Sequence, residues 1–117
     1  MMKFQQIAEV AIERTQQTGG ASVEVVTGRE APATGYMVAT AESHEIRLAE
    51  VTVEALVDYL ESIEWREGLY LGLWTEGGEV FVDVSQRIED REEALRQARI
   101  LDEIAVFDLE GMDTVYA

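Results

Sequence analysis

The chain has one histidine, His44, and this residue limits the acid–base chemistry that side chains could perform near neutral pH. Ser43 precedes it directly, so the pair could be mistaken for a nucleophile and its base. Neighbouring residues on a strand point to opposite faces, however, and the two side chains would not meet. We therefore expect His44 to be an exposed or strand-edge imidazole in a turn and assign no catalytic residue here.

Carboxylates are the other candidates for chemistry. Asp83 interrupts the apolar run VFVDV, a position where a strand acid can act as a metal ligand or general base. Strand alternation explains it more simply, because Phe81, Asp83 and Ser85 share one face. We expect Asp83 to point to solvent or to bond a nearby helix N-terminus. Glu76 and Glu79 flank two glycines and lack the alternating oxygen ligands of a calcium loop. The sequence therefore predicts neither a metal site nor a cofactor.

Charge is the strongest feature of the composition. The chain has 24 acidic and nine basic residues, and its formal net charge is −15 at pH 7. Residues 1–49 hold six acids and four bases, for a charge of −2; the rest hold eighteen and five, for −13. Such a surface repels nucleic acid and anionic lipid and attracts proteins with basic grooves. Lys3 is the only lysine and no Gly-rich phosphate loop is present, so nucleotide chemistry is not expected.

A predicted helix from the N-cap Thr52 to about Trp65 concentrates this charge. Its buried stripe consists of Val53, Leu56, Leu60 and Ile63. The opposite stripe, extended past both ends, is acidic and consists of Glu50, Glu54, Asp58, Glu61, Glu64 and Glu67. Like charges at these spacings cost a few tenths of a kcal/mol per pair, so they do not serve helix stability. Spaced carboxylates on a rod can replace duplex phosphates, with Val57 and Trp65 as apolar anchors. The alternative is a solvated face.

The elements that must position these residues follow the order α-β-β-β-α-β-β-α-β. A first amphipathic helix over residues 3–17 ends at Gly19-Gly20. The runs ASVEVVT and GYMVATA predict a hairpin whose loop holds Pro32, and HEIRL follows a tight turn. The runs GLYLGLW and EVFVDVS flank a glycine turn and predict a second hairpin.

A third helix begins after Asp90, with Glu93 at the capping-box spacing, and IAVFDL forms the last strand. The fold class is α+β, with an antiparallel or mixed sheet and helices on one face. The length suits one domain over residues 1–117, whose tail over residues 111–117 we expect to be loose. There is no cysteine and no apolar stretch of membrane-spanning length, which favours the cytoplasm.

The segment YLGLWTEGGEVFVDVS, the following helix with EEAL, and the strand IAVFDLEG form a recognisable C-terminal pattern. It resembles the C-terminal portion of small proteins encoded by actinobacteria, their phages and mobile elements. The resemblance covers about residues 68–111 and carries no known catalytic residues. It implies a phage accessory-gene setting, in which small acidic proteins often neutralise host defence.

Two hypotheses from different classes follow. The first is a non-enzymatic inhibitor, of the anti-CRISPR or anti-restriction type, that binds a basic nucleic-acid-binding groove through the acidic stripe. The second is a non-catalytic structural or regulatory module that forms homodimers through an exposed sheet edge, its acidity serving only solubility or halophilic adaptation. A metal-dependent hydrolase or nuclease centred on Asp83 ranks third.

Overall fold

A computed structural model describes residues 3–41 and 44–117. Within these ranges the chain forms three helices and seven strands packed as one α+β domain. The helices are α1 (Phe4–Thr18), α2 (Val53–Glu61) and α3 (Arg91–Ile100). The strands are β1 (Gly20–Glu24), β2 (Tyr36–Ala39), β3 (Ile46–Leu48), β4 (Leu69–Glu76), β5 (Glu79–Ile88), β6 (Ala105–Asp108) and β7 (Asp113–Tyr116).

All strand pairs of the sheet are antiparallel, and the ten-residue strand β5 is its spine. β4 pairs along one side of β5, while β2 and β3 share the other side. The main order is β1-β4-β5-β2-β6-β7, so β1 and β7 lie at opposite edges. This arrangement confirms the predicted α+β class and antiparallel sheet.

Hydrophobic side chains from one face of the sheet form two clusters under the helices. The larger cluster joins β1, β4 and β5 to α1 and α2, with Ile7, Leu56 and Leu60 fully buried. The smaller cluster joins β2 and β6 to α3 through Val38, Ala94, Leu95, Ala98 and Val106. Because the sheet residues of both clusters lie on the same side, all three helices cover one face, as predicted.

Several local predictions are confirmed by the geometry. Gly19 ends α1 with φ 87°, and Gly77 and Gly78 form the β4–β5 turn with φ 60° and 81°. The side chain of Asp90 accepts a hydrogen bond from the backbone N–H of Glu93 at 2.9 Å, which caps α3.

Three predictions were wrong. The first two strands do not form a hairpin, because β1 pairs with β4 and β2 pairs with β5 and β6. The helix beginning after Thr52 ends at Glu61, before the predicted boundary. The tail is not loose over Asp113–Tyr116, because this segment pairs with β6 as β7.

Within the described residues, no helix is long and apolar enough to cross a membrane.

Candidate protein-binding face

The acidic stripe is presented by α2, which is fixed at its start and along its inner side. The Thr52 hydroxyl oxygen accepts a hydrogen bond from the backbone N–H of Ala55 at 3.1 Å. Leu56, Tyr59 and Leu60 are buried in the larger cluster. The helix is therefore held by its apolar side, which leaves the other side for contact.

The end of α2 shows why the helix is shorter than predicted. The Ser62 hydroxyl donates to the Tyr59 carbonyl at 2.6 Å, and the Trp65 indole N–H donates to the Leu60 carbonyl at 2.8 Å. These side-chain bonds add to the backbone bonds that the Ser62 and Ile63 N–H groups donate to the same two carbonyls, and together they close the last turn. The chain then turns towards β4.

Three of the predicted acids, Glu54, Asp58 and Glu61, lie on the exposed side of α2. Glu50 precedes the helix, Glu64 and Glu67 follow it, and all three are exposed. Only the spacing of the first three is helical, because α2 ends at Glu61. Arg14–Glu30 and Arg96–Glu93 are ion pairs among the described residues, and both lie outside this stripe.

The charges at the two ends of α2 have opposite effects on the helix itself. Glu54 lies in the first turn, where a carboxylate is stabilised by the positive end of the helix dipole. Glu61 is the last helical residue, where a carboxylate faces the negative end, and no basic residue occupies that turn. Its negative charge therefore weakens α2 slightly, which agrees with the argument from like-charge spacing.

A shallow groove of about 530 Å³ runs beside the acidic stripe, between α1 and α2. Val53 and Val57 provide its apolar lining, with Glu54 and Asp58 from α2 and Gln5 from α1. The sequence identified Val57 as an anchor but gave no sign of Gln5, because the packing of α1 against α2 is a long-range contact. The groove places half-buried valines next to two carboxylates.

Trp65, the other predicted anchor, is placed differently from Val57. It is half-buried, packs against the larger cluster, and its indole N–H is already bonded to Leu60. Trp65 therefore braces the end of α2, and Val57 is the better placed apolar contact.

His44 lies before β3 and against the C-terminal end of α2. Its imidazole ring is exposed, and its centroid lies 5.0 Å from that of the Tyr59 ring. The Tyr59 hydroxyl donates to the His44 carbonyl at 3.1 Å. The imidazole Nε2 is 3.5 Å from the Ser62 hydroxyl, whose proton is directed to the Tyr59 carbonyl. The proton of Ser62 is thus not presented to the imidazole as in a nucleophile–base pair. Ser43 lies outside the described residues.

Asp83 is on the face away from the helices, as alternation predicts, but it is neither solvated nor bonded to a helix N-terminus. Its carboxylate is half-buried over Gly72 of β4 and accepts a hydrogen bond from the Ser85 hydroxyl at 3.2 Å. Burial raises the pKa of Asp83 to about 7, and the negative charges of Glu45 and Glu103 add to the rise although the Ser85 bond opposes it.

The structure places no metal-binding cluster beside Asp83 in the part of the chain that it describes, since no three His, Asp or Glu side chains there are arranged to hold an ion. Asp83 is separate from the acidic stripe. The inhibitor hypothesis and the Asp83 hydrolase hypothesis thus rest on different parts of the fold.

Comparison of the chain with protein-family models, with curated protein sequences and with solved structures gives no match.

Proposed function

We propose that this protein is a non-enzymatic inhibitor that occupies the basic, nucleic-acid-binding groove of a host defence protein, such as a CRISPR effector or a restriction enzyme. The observation that carries the proposal is the exposed face of α2. Glu54, Asp58 and Glu61 lie there together, beside the Val53 and Val57 groove. Carboxylates on a fixed helix give charge complementarity, and the valines give apolar contact area.

The spacing of the carboxylates can be compared with that of duplex phosphates. Glu54 and Asp58 are separated by about 6 Å along the helix axis, and Asp58 and Glu61 by about 4.5 Å. Phosphates along one DNA strand are about 3.4 Å apart along the duplex axis. The linear charge density of α2 is therefore roughly two-thirds that of one strand. Glu50, Glu64 and Glu67 extend the charged surface beyond the helix.

A phage or mobile-element origin of the gene agrees with the proposed inhibition of a defence protein. The C-terminal resemblance to proteins of actinobacterial phages and mobile elements suggests a gene pool in which inhibitors of defence are common. A target of this class acts where the genome is, so we place the protein in the cytoplasm of the host cell.

The second candidate function is a structural or regulatory module that associates with itself, in which the acids serve only solvation. The exposed strand β7 at the edge of the sheet is the observation that favours it. If the protein is such a module, its activity does not depend on where the acidic residues lie. Inhibition, in contrast, requires the acids of the stripe.

The test compares two variants with the same net charge. One reverses the stripe (Glu54→Lys, Asp58→Lys, Glu61→Lys and Glu64→Lys), and the matched control reverses four exposed acids elsewhere (Glu76→Lys, Glu89→Lys, Glu92→Lys and Glu110→Lys). Each protein is titrated into purified CRISPR effectors and restriction endonucleases bound to labelled duplex DNA, after circular dichroism has verified folding.

We expect the unaltered protein and the control to displace DNA from at least one target. The stripe variant should lose this activity, because it alone replaces the negative charges that are proposed to contact the basic groove. Equal displacement by both variants would show that net charge alone is responsible. Failure of the unaltered protein on the whole panel would count against inhibition and in favour of the self-associating module.

A further inference from the structure

The edge strand β7 leaves part of its backbone unpaired. In the β6–β7 register, Val106 lies opposite Val115, and the Ala117 N–H donates to the Ile104 carbonyl at 2.9 Å. Antiparallel hydrogen bonding alternates, so residues 113, 115 and 117 bond to β6. The N–H and C=O groups of Thr114 and Tyr116 therefore point outward from the sheet.

The opposite edge of the sheet is protected. Residues next to β1 supply hydrogen bonds to it, from the Ala31 N–H to the Ser22 carbonyl at 2.9 Å and from the Glu24 N–H to the Arg29 carbonyl at 2.7 Å. An edge covered in this way resists pairing with another chain. β7 has no such cover among the described residues, and it has no proline or lysine.

The large exposed hydrophobic side chains of the described residues all lie in the C-terminal part of the chain. In the described part of the chain, the large hydrophobic residues that are exposed are Ile100, Ile104, Met112 and Tyr116, of which the last two belong to the β6–β7 hairpin. Tyr116 belongs to β7 itself and is 72% exposed. An exposed aromatic side chain on an open strand edge is typical of a surface that pairs with another chain.

We propose that β7 forms an antiparallel pair with β7 of a second copy of this chain, which makes a two-fold symmetric dimer with a continuous sheet. Pairing Thr114 with Tyr116 of the second copy, and Tyr116 with Thr114, uses every outward N–H and C=O of the strand and forms four hydrogen bonds. The two-fold axis then passes between the Val115 residues.

Charge and backbone geometry select this register. It separates the two Asp113 side chains by four residues, about 13 Å, which exceeds the Debye length of about 10 Å at 0.1 M salt. A shift of two residues towards the turn would halve that separation, and Met112, with φ 55°, is not extended and would not join the ladder. A shift the other way would leave Thr114 unpaired. A second copy thus fits this edge without placing the two Asp113 side chains opposite each other.

The test measures self-association of variants in which one outward-pointing backbone donor, the Thr114 N–H, is removed or kept. Thr114→Pro removes the Thr114 N–H, which does not bond to β6, whereas Thr114→Val keeps that N–H and a strand-forming side chain. In sedimentation equilibrium up to about 100 μM, we expect a monomer–dimer equilibrium for the unaltered protein and for Thr114→Val, and a monomer for Thr114→Pro. A monomer throughout for the unaltered protein, or a dimer for Thr114→Pro, would overturn the proposal.

Amide hydrogen exchange followed by NMR tests the register without any substitution. The proposal predicts that the Thr114 and Tyr116 amides become protected as concentration rises, while the Val115 amide is protected at every concentration. Concentration-independent exchange at Thr114 and Tyr116 would exclude β7 pairing even if the protein dimerises elsewhere.

Discussion

At the residue scale, Asp83 makes stability depend on pH. The pKa of this carboxyl is about 7 in the folded protein and about 3.9 in an unfolded chain. Between these values the folded state binds more protons, so the Asp83 contribution lowers the free energy of unfolding as pH rises from about 4 to about 7. Above about pH 7 the decrease in the free energy of unfolding stays constant, at about 4 kcal/mol.

We therefore predict that Asp83→Asn stabilises the protein at pH 8 by as much as about 4 kcal/mol and has little effect at pH 4.5, because Asn is neutral at both. Urea unfolding of both proteins at several pH values measures the difference. The control is Asp58→Asn, which alters an exposed carboxylate on α2 and should leave the same pH dependence in place. A difference between Asp83→Asn and the unaltered protein that does not change with pH would contradict the assignment.

Gly72 makes room for the same carboxylate. A Cβ atom at Gly72 would lie 2.5 Å from the Asp83 Oδ1 atom, within van der Waals overlap. We expect Gly72→Ala to destabilise the protein by roughly 1–3 kcal/mol, and the penalty to shrink in an Asp83→Ala background. Chemical unfolding of the four proteins gives the coupling energy. An equal loss of stability in both backgrounds would show that the strain does not come from contact with the Asp83 carboxylate.

The sequence predicted which face of the sheet Asp83 lies on, but not what surrounds its carboxylate there. Alternation along β5 is local and places Asp83 beside Phe81 and Ser85. Its burial depends on Gly72 of the neighbouring strand, and its pKa also depends on Glu45 and Glu103, which are distant in sequence. A periodic pattern carries no information about contacts of that kind.

At the element scale, α2 must be intact for the candidate face to form. Thr52→Ala removes the N-cap bond to Ala55 and should lower the free energy of unfolding by about 1 kcal/mol. Asp90→Ala removes the corresponding bond of α3 and should cost a similar amount. We expect Thr52→Ala to weaken displacement of DNA from the target, and Asp90→Ala to leave it unchanged. Chemical unfolding and the displacement assay measure both; equal effects of the two variants on displacement would mean that α2 has no special role.

The elements that sequence predicted well are those specified by neighbouring residues. α1, α3 and the β4–β5 hairpin carry their own caps or turn glycines, and each was found. The partner of β1 is β4, about fifty residues away, so no local turn could indicate that pairing. β7 was missed because a four-residue strand after a turn has a weak pattern and depends on β6.

At the scale of the whole molecule, the two proposed contacts lie on different parts of the sheet. α2 packs over the half formed by β1, β4 and β5, while β7 is the edge strand of the other half. A dimer through β7 would therefore leave both acidic stripes free. It would present two copies of the stripe to a target with two basic grooves, and binding of both would raise the overall affinity without new contacts.

The two contacts should respond to salt in opposite directions, because their electrostatics differ in sign. Raising ionic strength from 0.1 to 1 M shortens the Debye length from about 10 to about 3 Å. Screening then weakens attraction between the α2 stripe and a basic groove, but it also weakens repulsion between two copies that each carry −15. We predict that DNA displacement from the target falls at least about tenfold while the dimer persists or tightens. Fluorescence competition and sedimentation over the same salt series measure the two. A dimer that dissociates as salt rises would show that charge pairs, rather than the backbone hydrogen bonds of β7, hold the copies together.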